Sequence, residues 1–229
     1  MTSVILTAAA SSVREDGGSF LLQEFEGIKF IQKVLDSYTF FEDRISIVLG
    51  NSQNSNNVLN DFILSAFPKV TIHLIRGETK GSMCSAMLGI GDLKDDLLIG
   101  SADAFIEGDL SVHVEKFKQS KSDAGIIVFQ GEGEKWSFTR SVGTKVIEIA
   151  EKQRISDFTT TGVFWFASGK FFLEAAESSL INKFEHEGLY YSSSAIQAIL
   201  AKNGSVTQTQ LELQEKYIYI DNTKKVKVV

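Results

Sequence analysis

Residues 4–16 read VILTAAASSVRED. Val4-Ile5-Leu6 is a short apolar run that breaks into small residues, Ala8-Ala9-Ala10-Ser11-Ser12, and then meets a single cation, Arg14. A strand feeding a loop of small residues lets backbone N–H groups approach a phosphate, and Arg14 would neutralise its charge. Such loops usually carry glycine, yet the first glycine here is Gly17. The stretch also reads as a strand end packed close to a helix. The rest of the chain decides between the two.

Seven further runs rich in Val, Ile, Leu, Phe and Tyr have the length of strands: 45–49, 70–75, 97–99, 125–129, 146–149, 162–166 and 217–220. Helical spacing lies between several of them. Ile28, Ile31, Val34, Leu35 and Tyr38 share one face, as do Val58, Leu59, Phe62 and Ile63. Met83, Met87 and Ile90 form a third such face, and Ala195, Ile196, Ile199 and Leu200 a fourth. The early strand–helix alternation predicts an α/β fold: a three-layer α/β/α, Rossmann-like arrangement around a mixed, mainly parallel sheet. The turn signals GEGE (131–134) and SVGT (141–144) predict hairpins, so the later strands are expected to be partly antiparallel. Pro68 falls in a tight helix–strand connection, no linker or repeat interrupts the chain, and a single domain over 1–229 is expected.

The composition narrows the function. With 43% hydrophobic and 23% charged residues the chain can bury a full core. A net charge of −6 and a pI near 5.2 argue against a nucleic-acid surface. The basic run KKVKVV (224–229) reads as a solvated tail. A lone cysteine, Cys84, excludes an internal disulfide and fits a reducing compartment. No stretch reaches the length of a membrane span and the N-terminus lacks a signal-peptide layout, so a cytoplasmic protein is expected.

Ligands of open α/β sheets bind beyond the carboxyl ends of the strands. Besides the opening loop, three places there carry chemistry. In IRGETKGSMCSAMLGI (75–90), Lys80-Gly81-Ser82 opens a helix whose N-terminus suits an anion, or is capped by Thr79 or Ser82. In DDLLIGSADAFIEGD (95–109), Asp103 follows a strand and is placed to hold a cation against phosphates. Asp95, Asp96, Glu107 and Asp109 around it read as solvated flanks and helix-start residues. In KYIYIDNTKKV (216–226), Asp221 ends another strand and reads as a second metal carboxylate or as a turn aspartate. His73, His113 and His186 show no metal-ligand spacing, Cys84 reads as helix packing, and neither G-x-S-x-G nor G-x-G-x-x-G occurs.

In this order the segments resemble the sugar-phosphate nucleotidyltransferases, and in particular their bacterial capsule and surface-polysaccharide branch. VILTAAASSVR stands at the L-A-A-G-x-G-[ST]-R loop, and FEGIKFIQKVLDSY is similar to the helix after it. ETKGSMCSAML resembles the segment facing the nucleotide base, and LLIGSADAFIEGD the strand ending in the metal aspartate. DAGIIVFQGEGEKWSF, VIEIAEKQRISDFTTTGVFWF, GLYYSSSAIQAIL and YIYIDNTKKV complete the series. The resemblance implies transfer of a nucleoside monophosphate from a nucleoside triphosphate to a sugar phosphate or similar small phosphorylated compound, with Mg²⁺ and release of pyrophosphate, in surface-polysaccharide precursor synthesis. It implies Ala8, Ala9, Ala10, Ser11, Lys80, Gly81 and Ser82 as nucleotide-binding residues and Asp103 with Asp221 as metal ligands. Arg14, Asp103 and Lys152 would be catalytic, and Glu151, Lys152, Thr161 and Gly162 would hold the sugar phosphate. Neither nucleic acid nor membrane is an expected partner, and a homo-oligomer is left open.

The chain departs from the pattern in the opening loop. Ala9 and Ser11 occupy the signature glycine positions, and Arg14 matches the arginine only with a one-residue shift, Val13 standing there otherwise. Counting back from Gly27, the family's Pro-Lys pair falls on Ser19-Phe20, and no lysine precedes Lys29. Two other readings follow: a relative that binds nucleotide, nucleotide-sugar or a partner without turnover, and a glycosyltransferase. The second normally carries two aspartates as D-x-D where SADAF has one.

Overall fold

The computed structural model describes residues 1–8, 19–50, 57–133, 135–221 and 223–229. The chain starts with strand β1 (Thr2–Ala8). A hairpin of β2 (Glu24–Phe25) and β3 (Ile28–Lys29) then leads into helix α1 (Phe30–Asp36). Both hairpin turn residues, Glu26 and Gly27, have positive φ (53° and 77°), the conformation that tight two-residue hairpins require. The helix is therefore shorter than its apolar spacing predicts: Ile28 belongs to β3, and Tyr38 is buried beyond the helix end.

β4 (Ile45–Gly50), α2 (Val58–Ala66) and β5 (Thr71–Ile75) follow, with Pro68 in the tight connection between the last two. Next come α3 (Ser82–Leu88), β6 (Asp96–Ser101), β7 (Ala104–Glu107), α4 (Leu110–Ser120) and β8 (Ala124–Gln130). The last part holds β9 (Ser137–Val142), β10 (Lys145–Glu151), β11 (Phe158–Phe166), α5 (Gly169–Asn182), α6 (Ser192–Ala201), β12 (Val206–Gln210), β13 (Lys216–Ile220) and β14 (Val226–Val228).

Among the described residues the main sheet runs β5-β4-β1-β6-β11-β8-β12-β10-β9. Its first four strands are parallel, as is the β8–β12 pair. β11 is antiparallel to β6 and β8, and the β9–β10 hairpin and the β10–β12 pair are antiparallel too. The fold is thus mixed α/β, with parallel pairing confined to two blocks rather than dominating the sheet. SVGT makes the β9–β10 hairpin, whereas GEGE does not make one: β8 and β9 are not neighbours.

Alternate side chains of the strands feed two apolar clusters on opposite faces. Val4, Leu6, Ile47, Leu49 and Leu98 join α1, α2 and α4. Ile5, Val48, Leu97 and Ile99 join α3, α5 and α6. Each fully buried Val, Leu, Ile or Phe contributes about 1.5–3 kcal/mol relative to exposure. This two-sided burial is why the strands read as continuous apolar runs. β1 lies between β4 and β6, so successive parallel strands are added on either side of it. That reversal leaves a crevice at the carboxyl ends of β1 and β6.

Asp96 corrects its reading as a solvated flank. It is buried, accepts hydrogen bonds from Thr2 Oγ1 (2.7 Å) and Trp165 Nε1 (2.8 Å), and lies 3.5 Å from Lys118 Nζ. His113 is likewise internal, between Thr209 Oγ1 (2.8 Å) and Glu215 Oε2 (2.9 Å). Asp109 caps α4 by accepting from the N–H of Ser111.

Candidate functional site

A cleft of about 560 Å³ opens over the crevice, walled by Thr7 and Ala8 of β1 and by Gly100 and Ser101 of β6. Phe20, Gly81, Ser82, Thr160, Gly162, Tyr191, Ser193, Asp221 and Lys224 close its sides, and Asp103 also lines it. Ala9, Ala10, Ser11 and Arg14 lie outside the described residues.

Asp103 and Asp221 meet through the sheet topology. After β6 a tight turn, held by the N–H of Ala102 on the Thr7 carbonyl (3.0 Å), sends the chain into β7. β7 leaves the main sheet and pairs antiparallel with β13, Ala104 opposite Tyr219. The ladder continues one step, with the Ile220 N–H donating to the Asp103 carbonyl at 2.8 Å. Asp221 is the next residue.

The two carboxyl groups are held differently. Asp103 is open to the cleft while the body of the protein surrounds it. That enclosure pushes its pKa above the ordinary carboxylate range, against the hydrogen bond from the Ser101 hydroxyl and the charge of Lys224. Asp221 Oδ1 accepts from Thr223 Oγ1 (2.6 Å), Thr223 N (2.8 Å) and Lys225 N (3.0 Å). The Thr223 hydroxyl first, then the backbone N–H of Lys225, hold its pKa below the ordinary range. Asp221 is thus a turn aspartate by its bonds and a cleft residue by its place.

Gly81 sits where no other residue fits. Its φ of 106° and ψ of 175° are essentially reserved for glycine, and a Cβ there would overlap the Tyr190 carbonyl. That close approach ties α3 to the segment before α6. Tyr190 N donates to the Lys80 carbonyl (2.7 Å), Met83 N to the Tyr190 carbonyl (3.1 Å), and Ser192 N to Ser82 Oγ (3.2 Å). Ser82 is therefore engaged across the junction, and Thr79 donates to the Gly81 carbonyl; neither caps α3, correcting that expectation. The Lys80 residue is exposed and does not line the cleft.

Glu151 ends β10 and Lys152 follows it at φ 50°; neither lines the cleft itself. Glu151 accepts from the hydroxyls of Ser193 (2.7 Å) and Ser137, both of which line the cleft. Lys152 Nζ donates to Tyr191 Oη at 2.9 Å, and this bond is the main reason its pKa is raised. Thr161 does not reach the cleft: it is buried and its hydroxyl donates to the Ile127 carbonyl (3.0 Å). The β11 register shifts between Thr160 and Phe164, with Gly162 at φ 79°, so Thr160 and Gly162 line the cleft instead.

Sequence reasoning missed Phe20, Thr160, Tyr191, Ser193 and Lys224. The serine run after Tyr191 gave a helix-start signal and no more. The basic run 224–229 is not a solvated tail: Lys224 lines the cleft and Val226–Val228 form β14. Cys84 is half-buried, and burial pushes its thiol pKa up.

No family model and no curated protein matches the sequence. Solved structures do. A nucleoside-diphosphate-sugar pyrophosphorylase from Vibrio cholerae RC9 superposes with a TM-score of 0.76 at 22% identity, over 96% of this chain and 95% of that one. The inositol-1-phosphate CTP transferase from T. maritima gives 0.73 at 14% identity, over 98% of this chain and 91% of that one. At these identities the likeness concerns the fold, the mixed α/β arrangement described above, and it spans nearly the whole length of both chains in each pair.

Proposed function

We propose that the protein is a nucleotidyltransferase, condensing a nucleoside triphosphate with a sugar phosphate or similar small phosphorylated compound and releasing pyrophosphate. The observation that carries the reading is the convergence of Asp103 and Asp221 on a cleft at the carboxyl ends of β1 and β6. The solved structures sharing this fold add support, as do the sequence segments resembling the family. The sheet with helices on both faces is read as the three-layer, Rossmann-like form.

Two hard oxygen donors on an open cleft fit Mg²⁺, which takes one or two carboxylates and leaves positions for water and substrate phosphates. When bound, Mg²⁺ would neutralise phosphate charge; Asp103 and Asp221 would hold it. Ala8, Gly81 and Ser82 would bring backbone and small side chains against the nucleotide. Glu151 would fix Ser137 and Ser193, and Lys152 would set the Tyr191 hydroxyl, on the wall facing the sugar phosphate. Such positioning and charge neutralisation are what in-line attack on a phosphate requires. Ala9, Ala10, Ser11 and Arg14 would complete the triphosphate side. A role in surface-polysaccharide precursors, in the cytoplasm, belongs to the same proposal.

The test is to incubate the protein with Mg²⁺, each nucleoside triphosphate and a panel of sugar phosphates, and to measure pyrophosphate together with the nucleoside-diphosphate product. Product from one pairing supports the proposal. The replacement of the signature glycines by Ala9 and Ser11 favours a second reading, binding without turnover. Nucleotide or nucleotide-sugar binding with no product across the panel would establish it.

A further inference from the structure

The cleft lining carries three acidic side chains, Glu78, Asp103 and Asp221, and among the described residues one cationic one, Lys224. Lys224 ends the turn that begins at Asp221, its N–H donating to the Asp221 carbonyl at 2.8 Å. Its Nζ lies 5.0 Å from the ring centroid of Phe20, the first residue of the short helical turn that follows the opening loop. Its charge also acts on Asp103. The ammonium therefore lies over Phe20 on the cleft side that carries Asp103 and Asp221. Among the described residues it makes no ion pair within 4.0 Å, whereas Lys227 Nζ lies 3.9 Å from Asp221. The half-buried Lys224, its ammonium over an aromatic ring at an open cleft and without a carboxylate within 4.0 Å among the described residues, is suited to an anion.

We infer that Lys224 binds the phosphates of the nucleoside triphosphate in this cleft. The inference rests on the functional reading above. The triphosphate is favoured over the sugar phosphate by position: Lys224 stacks on Phe20 beside Asp103, while Lys152 serves the other wall through Tyr191.

The test is titration calorimetry with Mg²⁺, comparing wild type, Lys224→Met and Lys224→Arg. The ligands are tripolyphosphate, each nucleoside triphosphate, the matching nucleosides and glucose 1-phosphate. Lys224→Met is expected to weaken tripolyphosphate and the bound triphosphate about tenfold or more, the scale of a charge-assisted hydrogen bond. Nucleoside and glucose 1-phosphate should bind unchanged, and Lys224→Arg should recover most of the loss. Thermal unfolding checks each variant, with Lys224→Gln used if the Met form is unfolded. Unaltered tripolyphosphate binding by the variant, an equal loss for the nucleoside, or a loss confined to glucose 1-phosphate would overturn the inference while leaving the functional reading intact. A wild-type protein that binds none of the triphosphates would overturn both.

Discussion

The N–H of Ile220 donates to the carbonyl of Asp103 at 2.8 Å, and that single rung sets Asp221 beside Asp103. Asp221 both holds its turn and faces the cleft, and two substitutions separate the roles. Asp221→Asn keeps an Oδ1 acceptor for Thr223 and Lys225 but loses the negative charge those bonds stabilise, so the urea midpoint should fall slightly. Asp221→Ala strips all three bonds and should lower the urea midpoint further than Asp221→Asn does. Both should impair Mg²⁺-dependent triphosphate binding.

Gly81 is the position where backbone geometry admits one residue type. Gly81→Ala forces a methyl into the Tyr190 carbonyl at φ 106°. The expected loss is about 2–4 kcal/mol of unfolding free energy, read from the denaturant midpoint. The junction of α3 with the start of α6 should lose amide-exchange protection first.

Lys152 carries a pH signature. Its pKa is raised above the ordinary 10.5, chiefly by the bond to Tyr191. A raised lysine pKa keeps the charged form to higher pH, so the KM for the sugar phosphate should be flat from about pH 7 to about pH 9. In Tyr191→Phe the main cause of the rise is gone, and the alkaline loss of affinity should move to lower pH. The same variant should raise this KM about three- to tenfold while leaving the KM for the triphosphate unchanged.

The strands most legible in the sequence were those buried on both faces, because each reads as an unbroken apolar run. β12 escaped because only Val206 of its two buried residues is apolar; the other, Gln208, accepts from Thr139 Oγ1 at 2.6 Å and donates to Ser141 Oγ at 2.9 Å. A polar side chain satisfied inside the sheet leaves no hydrophobic trace. α4 and α5 escaped as well; α4 spaces its buried Leu110, His113, Val114 and Phe117 among charged residues. In the site, Asp103 was readable from its place after a strand. Thr160 was not, because the shift in β11 decides which threonine reaches the cleft. Lys224 was hidden in a basic run, since only the turn at Asp221 carries it back over Phe20.

A role of Asp103 in nucleotidyl transfer in this cleft is tested by comparing wild type with Asp103→Asn. The readout is the nucleoside-diphosphate product formed from the matching triphosphate and sugar phosphate in Mg²⁺, with Asp109→Asn as a control carboxylate outside the cleft. That role predicts product from wild type and from Asp109→Asn, and a fall of about a hundredfold or more in Asp103→Asn with the fold retained. Product formed by Asp103→Asn at the wild-type rate would contradict it.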